Sequence, residues 1–348
     1  MQEKIKILVI RFSSIGDIVL TTPVLRLLKK KFGNGVEIHY LTKKSYAPVL
    51  KVNPYISKIH SFEKNLNEVK QELKTAHFDH IVDLHKNVRS QTVINWLKTP
   101  ALRFNKLNWE KWLLVNFKID KLPNKHIVDR YIETLAPFDI QNDNEGLDYF
   151  IPQEEKVDVE RELGIQPNQY VAFVIGAAHQ TKKYPKEKIP YICEMLGEKT
   201  AMLIDALNFK NPLKIVLIGG KEDQEDALYI YNKTQNTINT CGKYSVNQSA
   251  SIIEQAKVVI TNDTGMMHIA AAFQKPVISI WGNTVPKFGM YPYEPKHPEN
   301  VVIIENNHLN CRPCSKIGFS KCPKKHFKCM QWENERLIIE DTLRFLQK

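Results

Sequence analysis

The amino-acid sequence predicts an α/β fold made of two doubly wound parallel-sheet domains, and three observations carry that prediction. Short continuous apolar runs rich in β-branched residues recur, the pattern of strands covered on both faces. Segments with helical spacing separate them, as βαβ units require. The alternation runs twice, interrupted by a polar, irregular stretch from Asp139 to Glu155 that contains Pro152.

In the first half, Lys6-Ile7-Leu8-Val9-Ile10 reads as a buried strand, followed by the loop Arg11 to Asp17 and helical spacing through Val19, Leu20, Val24, Leu25, Leu27 and Leu28. Residues 36–41 form the next strand, 69–75 a helix, 78–84 another strand, and a helix runs from about Ser90 to Leu97. After the interruption, strands are expected at 170–176, 214–220, 258–260 and 276–281, each ending in Gly or a polar turn. Ligands of open α/β sheets bind beyond the carboxyl ends of the strands. Here those ends carry Gly176, Gly219-Gly220, Asp263-Thr264-Gly265 and Gly282-Asn283, so the second half has the look of a nucleotide site. Glu333 to Leu346 reads as a closing amphipathic helix with Leu337, Ile338, Leu343 and Leu346 on its apolar side.

A chain of 348 residues fits two domains with a core each, and 43% hydrophobic with 25% charged residues is a globular composition. No apolar run reaches membrane-spanning length and the N-terminus leads into a strand, so the protein is expected in the cytoplasm. The net charge of +11 is uneven: residues 1–150 hold 24 Lys/Arg against 16 Asp/Glu, whereas residues 151–348 hold 25 against 22. A basic half suits an acidic partner. The scattered cations and the lack of any nucleic-acid module argue against nucleic acid.

The most informative stretch is Ala256 to Ala272, a buried strand running into a polar turn and then into a small-residue helix. The first turn of a helix leaves N–H groups unpaired at the positive end of its dipole, so Thr264, Gly265 and Met266 can present donors to a phosphate. Asp263 can contact a ligand or simply cap the turn, and His268, one turn further on, can reach a ligand or pack in the core. Lys86 and Arg89, just after the strand ending Asp83-Leu84, are candidates for contact with an anionic acceptor or for a solvated loop.

Three segments in order, Ser14-Ile15-Gly16-Asp17-Ile18-Val19-Leu20-Thr21-Thr22-Pro23, Lys182-Lys183-Tyr184-Pro185 and Asn262 to Ala271, resemble the lipopolysaccharide heptosyltransferase family, glycosyltransferase family nine. The resemblance spans nearly the whole chain. It implies a GT-B architecture: an acceptor-binding Rossmann-like domain over residues 1–150, a nucleotide-sugar domain over 151–330, and a C-terminal helix, 331–348, returning to pack on the first domain. It further implies inverting transfer of heptose from ADP-heptose to a hydroxyl of an acidic lipid A–core acceptor at the inner face of the cytoplasmic membrane. Asp17 matches the candidate general base, or simply caps the following helix, with Ser14 and Gly16 in the acceptor loop. Lys182 matches a phosphate-contacting Lys in a Lys-x-Trp-Pro pattern, although here the aromatic is Tyr184 and Lys183 stands beside it. Glu222, after Gly219-Gly220, stands where an acid meets the ribose, with a one-residue slip still open, and Gly176 ends the strand before the lysines.

No Asp-x-Asp occurs, so transfer is expected to need no metal cofactor. Cys311, Cys314, Cys322 and Cys329 cluster near the end, where either a structural zinc, with His326 as a spare ligand, or simple packing is expected. Two other functions stay open: transfer with another donor or acceptor, and a basic nucleotide-regulated binding protein that would not need Asp17.

Overall fold

The computed structural model describes residues 4–348, which divide into two compact units. The first comprises residues up to Leu107 and Lys125–Pro152, and the second Asn108–Asn124 and Gln153–Lys348. The units divide at Pro152, and residues 108–124 belong with the second.

The first unit holds strands β1 (Ile5–Ile10), β2 (Val36–Lys43), β3 (Lys58–Phe62), β4 (His80–Asp83) and β5 (Ala101–Arg103). They pair in parallel in the order β3-β2-β1-β4-β5. Leu8, Ile10, Leu41, Phe62, Leu73, Ile81 and Val93 build one core between this sheet and its helices. The polar stretch after Asp139 is tied down rather than loose: the buried Arg26 guanidinium pairs with Asp143 at 2.9 Å and with Asp148, and also donates to the Gly146 carbonyl at 2.8 Å. Burial raises the Asp148 carboxyl above its usual value despite Arg26.

On the neighbouring strands β2 and β3, His39 Nδ1 lies 2.8 Å from His60 Nε2, and His60 Nδ1 lies 3.1 Å from Glu72 Oε1. Burial, followed by the charge of His60, pushes His39 down to about 4. A depressed His means that the unfolded chain binds more protons between the ordinary value near 6.5 and about 4, so its contribution is complete above 6.5 and lost as pH falls through that window. The melting temperature should therefore drop more steeply from pH 6.5 to 4 in the wild type than in His39→Leu. Parallel curves would mean that the pair does not titrate in this range.

The second unit holds β6 (Tyr170–Val174), β7 (Lys214–Ile218), β8 (Thr237–Asn239), β9 (Val258–Asn262), β10 (Val277–Trp281) and β11 (Val301–Glu305), all parallel, in the order β11-β10-β9-β6-β7-β8. Apolar cores cover both faces, one around Val171, Phe173, Ile192 and Leu217 and one around Tyr170, Val174, Val216 and Met267. The closing helix is Glu335–Leu346. It packs on helix Ile189–Ala201 and on β9 to β11, within the second unit. Its buried stripe is Ile338, Ile339, Phe345 and Leu346, which join the core of that unit, while Leu337 faces solvent at 43% exposure.

Candidate active site

Each sheet has one point where the strand order reverses, and the loops there are where an open α/β sheet receives ligands. In the first unit this point lies between β1 and β4, and the loops leaving them are Arg11–Ser14 and His85–Asn87. Ser14 caps the short helix Ile15–Val19, so Asp17 falls at its third position. One Asp17 oxygen, Oδ2, accepts the Ser14 N–H at 3.2 Å and the Ser14 hydroxyl at 2.9 Å; the other, Oδ1, lies 2.5 Å from Arg11 Nη2. Burial would raise the Asp17 carboxyl, but the Arg11 guanidinium and the Ser14 hydrogen bonds outweigh it and hold the group below its ordinary value. Asp17 is thus both a cap and a fixed anion.

Arg11 was not singled out from the sequence. It is buried where β1 ends, its Nε donating to the Ser13 carbonyl at 2.8 Å and its Nη1 to the Leu84 carbonyl at 2.7 Å and the Tyr131 hydroxyl at 3.0 Å. The available signal was an arginine directly after an apolar run, where a buried cation demands an anionic partner. In the second loop, fully buried Asp83 accepts the N–H groups of His85 and Lys86 at 3.0 and 2.8 Å, the Ser90 hydroxyl at 2.8 Å and Arg103 Nε at 3.1 Å. Burial first, then the charges of Arg11 and Lys106, push His85 down to about 3, so it is neutral beside Phe12. Gly16 is buried, Ser14 exposed and Lys86 half-buried. Arg89 is exposed and lines a groove of about 420 Å³ with Lys64, Asn65 and Trp96.

In the second unit the reversal lies between β6 and β9, which brings Gly176 and the Gln180–Lys182 turn beside Asp263, Thr264 and Gly265. Thr264 is the N-cap of helix Gly265–Ala272, and its side chain caps no backbone donor. Lys182 Nζ lies 2.6 Å from Asp263 Oδ2, which also accepts the Thr284 hydroxyl at 2.7 Å. Lys183 goes elsewhere: its ammonium is 2.5 Å from Asp223 Oδ1. Lys182 is thus the lysine paired with the residue before the Thr264 cap, and Lys183 the one paired with Asp223.

Fully buried Asn262 organises this junction, although the sequence reading gave it no role. Its amide nitrogen donates to the carbonyls of Val174, Ile175 and Gly176 at 3.0–3.3 Å, and its oxygen accepts the Tyr184 N–H at 3.0 Å. One side chain thus ties the end of β6 to the lysine turn. Gly176 has a steric reason as well, since a Cβ there would come within 2.2 Å of Asp223 Oδ2. Asp223 is the buried carboxylate after Gly219-Gly220, held also by the Gly220 N–H at 2.8 Å, whereas Glu222 is exposed at the rim. Met266 is half-buried and His268 only 3% exposed.

Residues 66–324 match the model of glycosyltransferase family 9 (heptosyltransferase). The chain belongs to glycosyltransferase family 9. Among curated relatives, lipopolysaccharide heptosyltransferase 1 of Campylobacter coli is 23% identical over 296 residues, covering 80% of this chain and 84% of that protein. A glycosyl transferase family 9 structure from Veillonella parvula superposes with a TM-score of 0.78 at 21% identity, covering 99% of this chain and 98% of that one. The E. coli heptosyltransferase WaaC with ADP gives a TM-score of 0.67 at 17% identity over 99% of both chains. This family 9 glycosyltransferase has the two parallel α/β units of the GT-B fold.

Cys329 is buried in the core of the second unit, and Cys314 Sγ donates to the Cys311 carbonyl at 3.0 Å. Burial pushes Cys329 up to about 12, and burial followed by Cys311 pushes Cys314 up to about 11. Among the described residues no three His, Cys, Asp or Glu side chains are arranged to hold a metal ion, and Cys311 Sγ lies 3.9 Å from His326 Nε2.

Proposed function

We propose that this family 9 glycosyltransferase moves a heptosyl group from ADP-heptose to a hydroxyl of a lipopolysaccharide inner-core acceptor, with inversion at the anomeric carbon. The observation that carries the reading is the Lys182 ammonium, 2.6 Å from Asp263, beside the open N-terminus of helix Gly265–Ala272. Both supply positive character to a diphosphate without a bound cation. The relatives named heptosyltransferase and the ADP complex of a protein with the same fold support the donor.

In this reaction the acceptor hydroxyl oxygen attacks the anomeric carbon from the face opposite the diphosphate. The carbon–oxygen bond to the β-phosphate breaks, ADP leaves with the electron pair, and the hydroxyl proton passes to Asp17. Arg11 keeps that carboxylate ionised and aimed, which a base needs before it can accept a proton. Thr264, Gly265 and Met266 offer N–H groups to the phosphates, with Lys182 beside them, while Gly176 and Glu222 flank the nucleoside. His268, one turn inside that helix, belongs to the donor side with them. Ser14, Gly16, Lys86 and Arg89 belong to the acceptor side, where the basic charge of residues 1–150 favours the phosphates and carboxylates of a lipid A–core. The enzyme works in the cytoplasm against the inner face of the membrane; no described helix is long and apolar enough to cross it.

Transfer should persist in excess EDTA, measured as ADP release dependent on acceptor. A modest stimulation by magnesium is compatible with shielding of the departing ADP, whereas complete loss reversed by magnesium would contradict a helix-terminus mechanism. The binding-protein alternative predicts no acceptor-dependent release.

A further inference from the structure

Helix Asn108–Phe117 is the most conspicuous feature that the reaction leaves unused. It buries Leu114 but exposes Trp109 at 64%, Trp112 at 40% and Phe117 at 58%, with Ile119 following at 47%. These residues are not scattered: Trp109 stacks on Trp112 with centroids 5.0 Å apart, and Trp112 meets Phe117 edge-on at 5.1 Å. Single exposed apolar residues are ordinary, but a contiguous aromatic face requires a partner to cover it.

The partner's charge follows from the segment that carries this helix. Lys118 donates to the carbonyls of Pro313 at 2.7 Å and Cys311 at 3.3 Å, and Lys316 reaches the Asn108 carbonyl at 3.5 Å, so the helix is fastened at both ends to the cysteine-bearing loop. Between Asn306 and Trp332 that loop has six Lys or Arg and no Asp or Glu. Arg312 is buried and anchors it through the carbonyls of Gly282 and Thr284, while Lys316, Lys321, Lys324, Lys325 and Lys328 are exposed. Ile317 adds one more apolar side chain, 63% exposed.

We propose that the aromatic face of helix Asn108–Phe117 and the lysine-rich loop 316–328 together form the surface on which this enzyme docks to an anionic lipid bilayer. Trp and Phe settle at the boundary between headgroups and acyl chains, and exposed lysines are attracted by anionic headgroups, the combination that holds a protein on a membrane without spanning it. A water-exposed protein partner would need complementary acidic residues; a bilayer answers both the apolar and the basic part at once. The loop is also clamped to Thr181, the neighbour of Lys182, through the Phe319 backbone at 2.8–3.1 Å, so the surface is rigidly tied to the donor side of the enzyme. The inference rests on the acceptor being carried by a lipid.

The test is sedimentation of the full chain with vesicles that contain no substrate, of phosphatidylcholine alone or mixed with phosphatidylglycerol. Wild type should partition to the mixed vesicles and lose that binding as salt rises. Trp109→Ala/Trp112→Ala/Phe117→Ala and Lys321→Gln/Lys324→Gln/Lys325→Gln should each lower the partition by at least ~10-fold. Transfer to a soluble deacylated acceptor should remain at the wild-type rate in both, which also reports that they are folded. Equal partition of wild type to both vesicle types, unchanged partition of either variant, or self-association of wild type lost in the aromatic variant would overturn the proposal. Because the vesicles lack substrate, failure of the transfer reading would show separately, as absent turnover with partition intact.

Discussion

Replacing Asp17 with Asn is expected to lower kcat by ~10²–10⁴ while leaving the affinity for ADP nearly unchanged, because the amide keeps the shape of the carboxylate but cannot take the acceptor proton. The same change removes the partner of buried Arg11, and breaking such a pair typically costs about 3–5 kcal/mol, so some loss of melting temperature accompanies it. The two effects separate on measurement. A base predicts that the folded variant, saturated with both substrates, is still slow; a cap alone predicts normal turnover by whatever fraction is folded. The pH profile gives a second reading. With Asp17 held below its ordinary value by Arg11 and Ser14, the acid limb of kcat/KM should fall below the usual carboxylate value of about 3.9, and the limb should vanish in Asp17→Asn.

Lys182→Ala should weaken ADP by about 10-fold or more and reduce kcat by ~10²-fold, since a charge-assisted hydrogen bond is worth about 1.5–3 kcal/mol and charge grows on the diphosphate as the bond breaks. Lys183→Ala is the informative control. Its ammonium serves Asp223, which is only 2% exposed, so its removal strands a buried carboxylate and should lower the melting temperature far more than ADP affinity. Calorimetric titration of both variants with ADP checks the assignment. A larger loss of ADP affinity at Lys183 would exchange the roles of the two lysines.

The strands legible in the sequence are those with two neighbours. Lys6–Ile10 and Val258–Ile260 were legible because a central parallel strand is covered on both faces and must be apolar throughout. The four that escaped, β3, β5, β8 and β11, are the four sheet edges. An edge strand has one neighbour and more solvent, so it tolerates Lys58, Ser61, Arg103 and Glu305, and its pattern dissolves into the surrounding loops. The site divides in the same way. Asp17, Lys182 and the Asp263–Met266 turn were visible because their chemistry lies in short contiguous segments. Arg11 and Asn262 were not, because what they do depends on partners from 6 to 120 positions away, such as Asp17, Tyr131 and Gly176. The closing helix is legible as an amphipathic segment, and its buried stripe of Ile338, Ile339, Phe345 and Leu346 joins the core of the second unit.

The most direct measurement is mass spectrometry of a deacylated inner-core acceptor after incubation with the enzyme and, in separate reactions, ADP-heptose, UDP-, GDP- and CMP-sugars, with released nucleotide measured alongside. The account predicts that only ADP-heptose adds one heptosyl residue to the acceptor, with one ADP released for each, and that Asp17→Asn and Lys182→Ala depress both products together. Preferred transfer from another nucleotide sugar, or ADP release with no gain of mass on the acceptor, would contradict it.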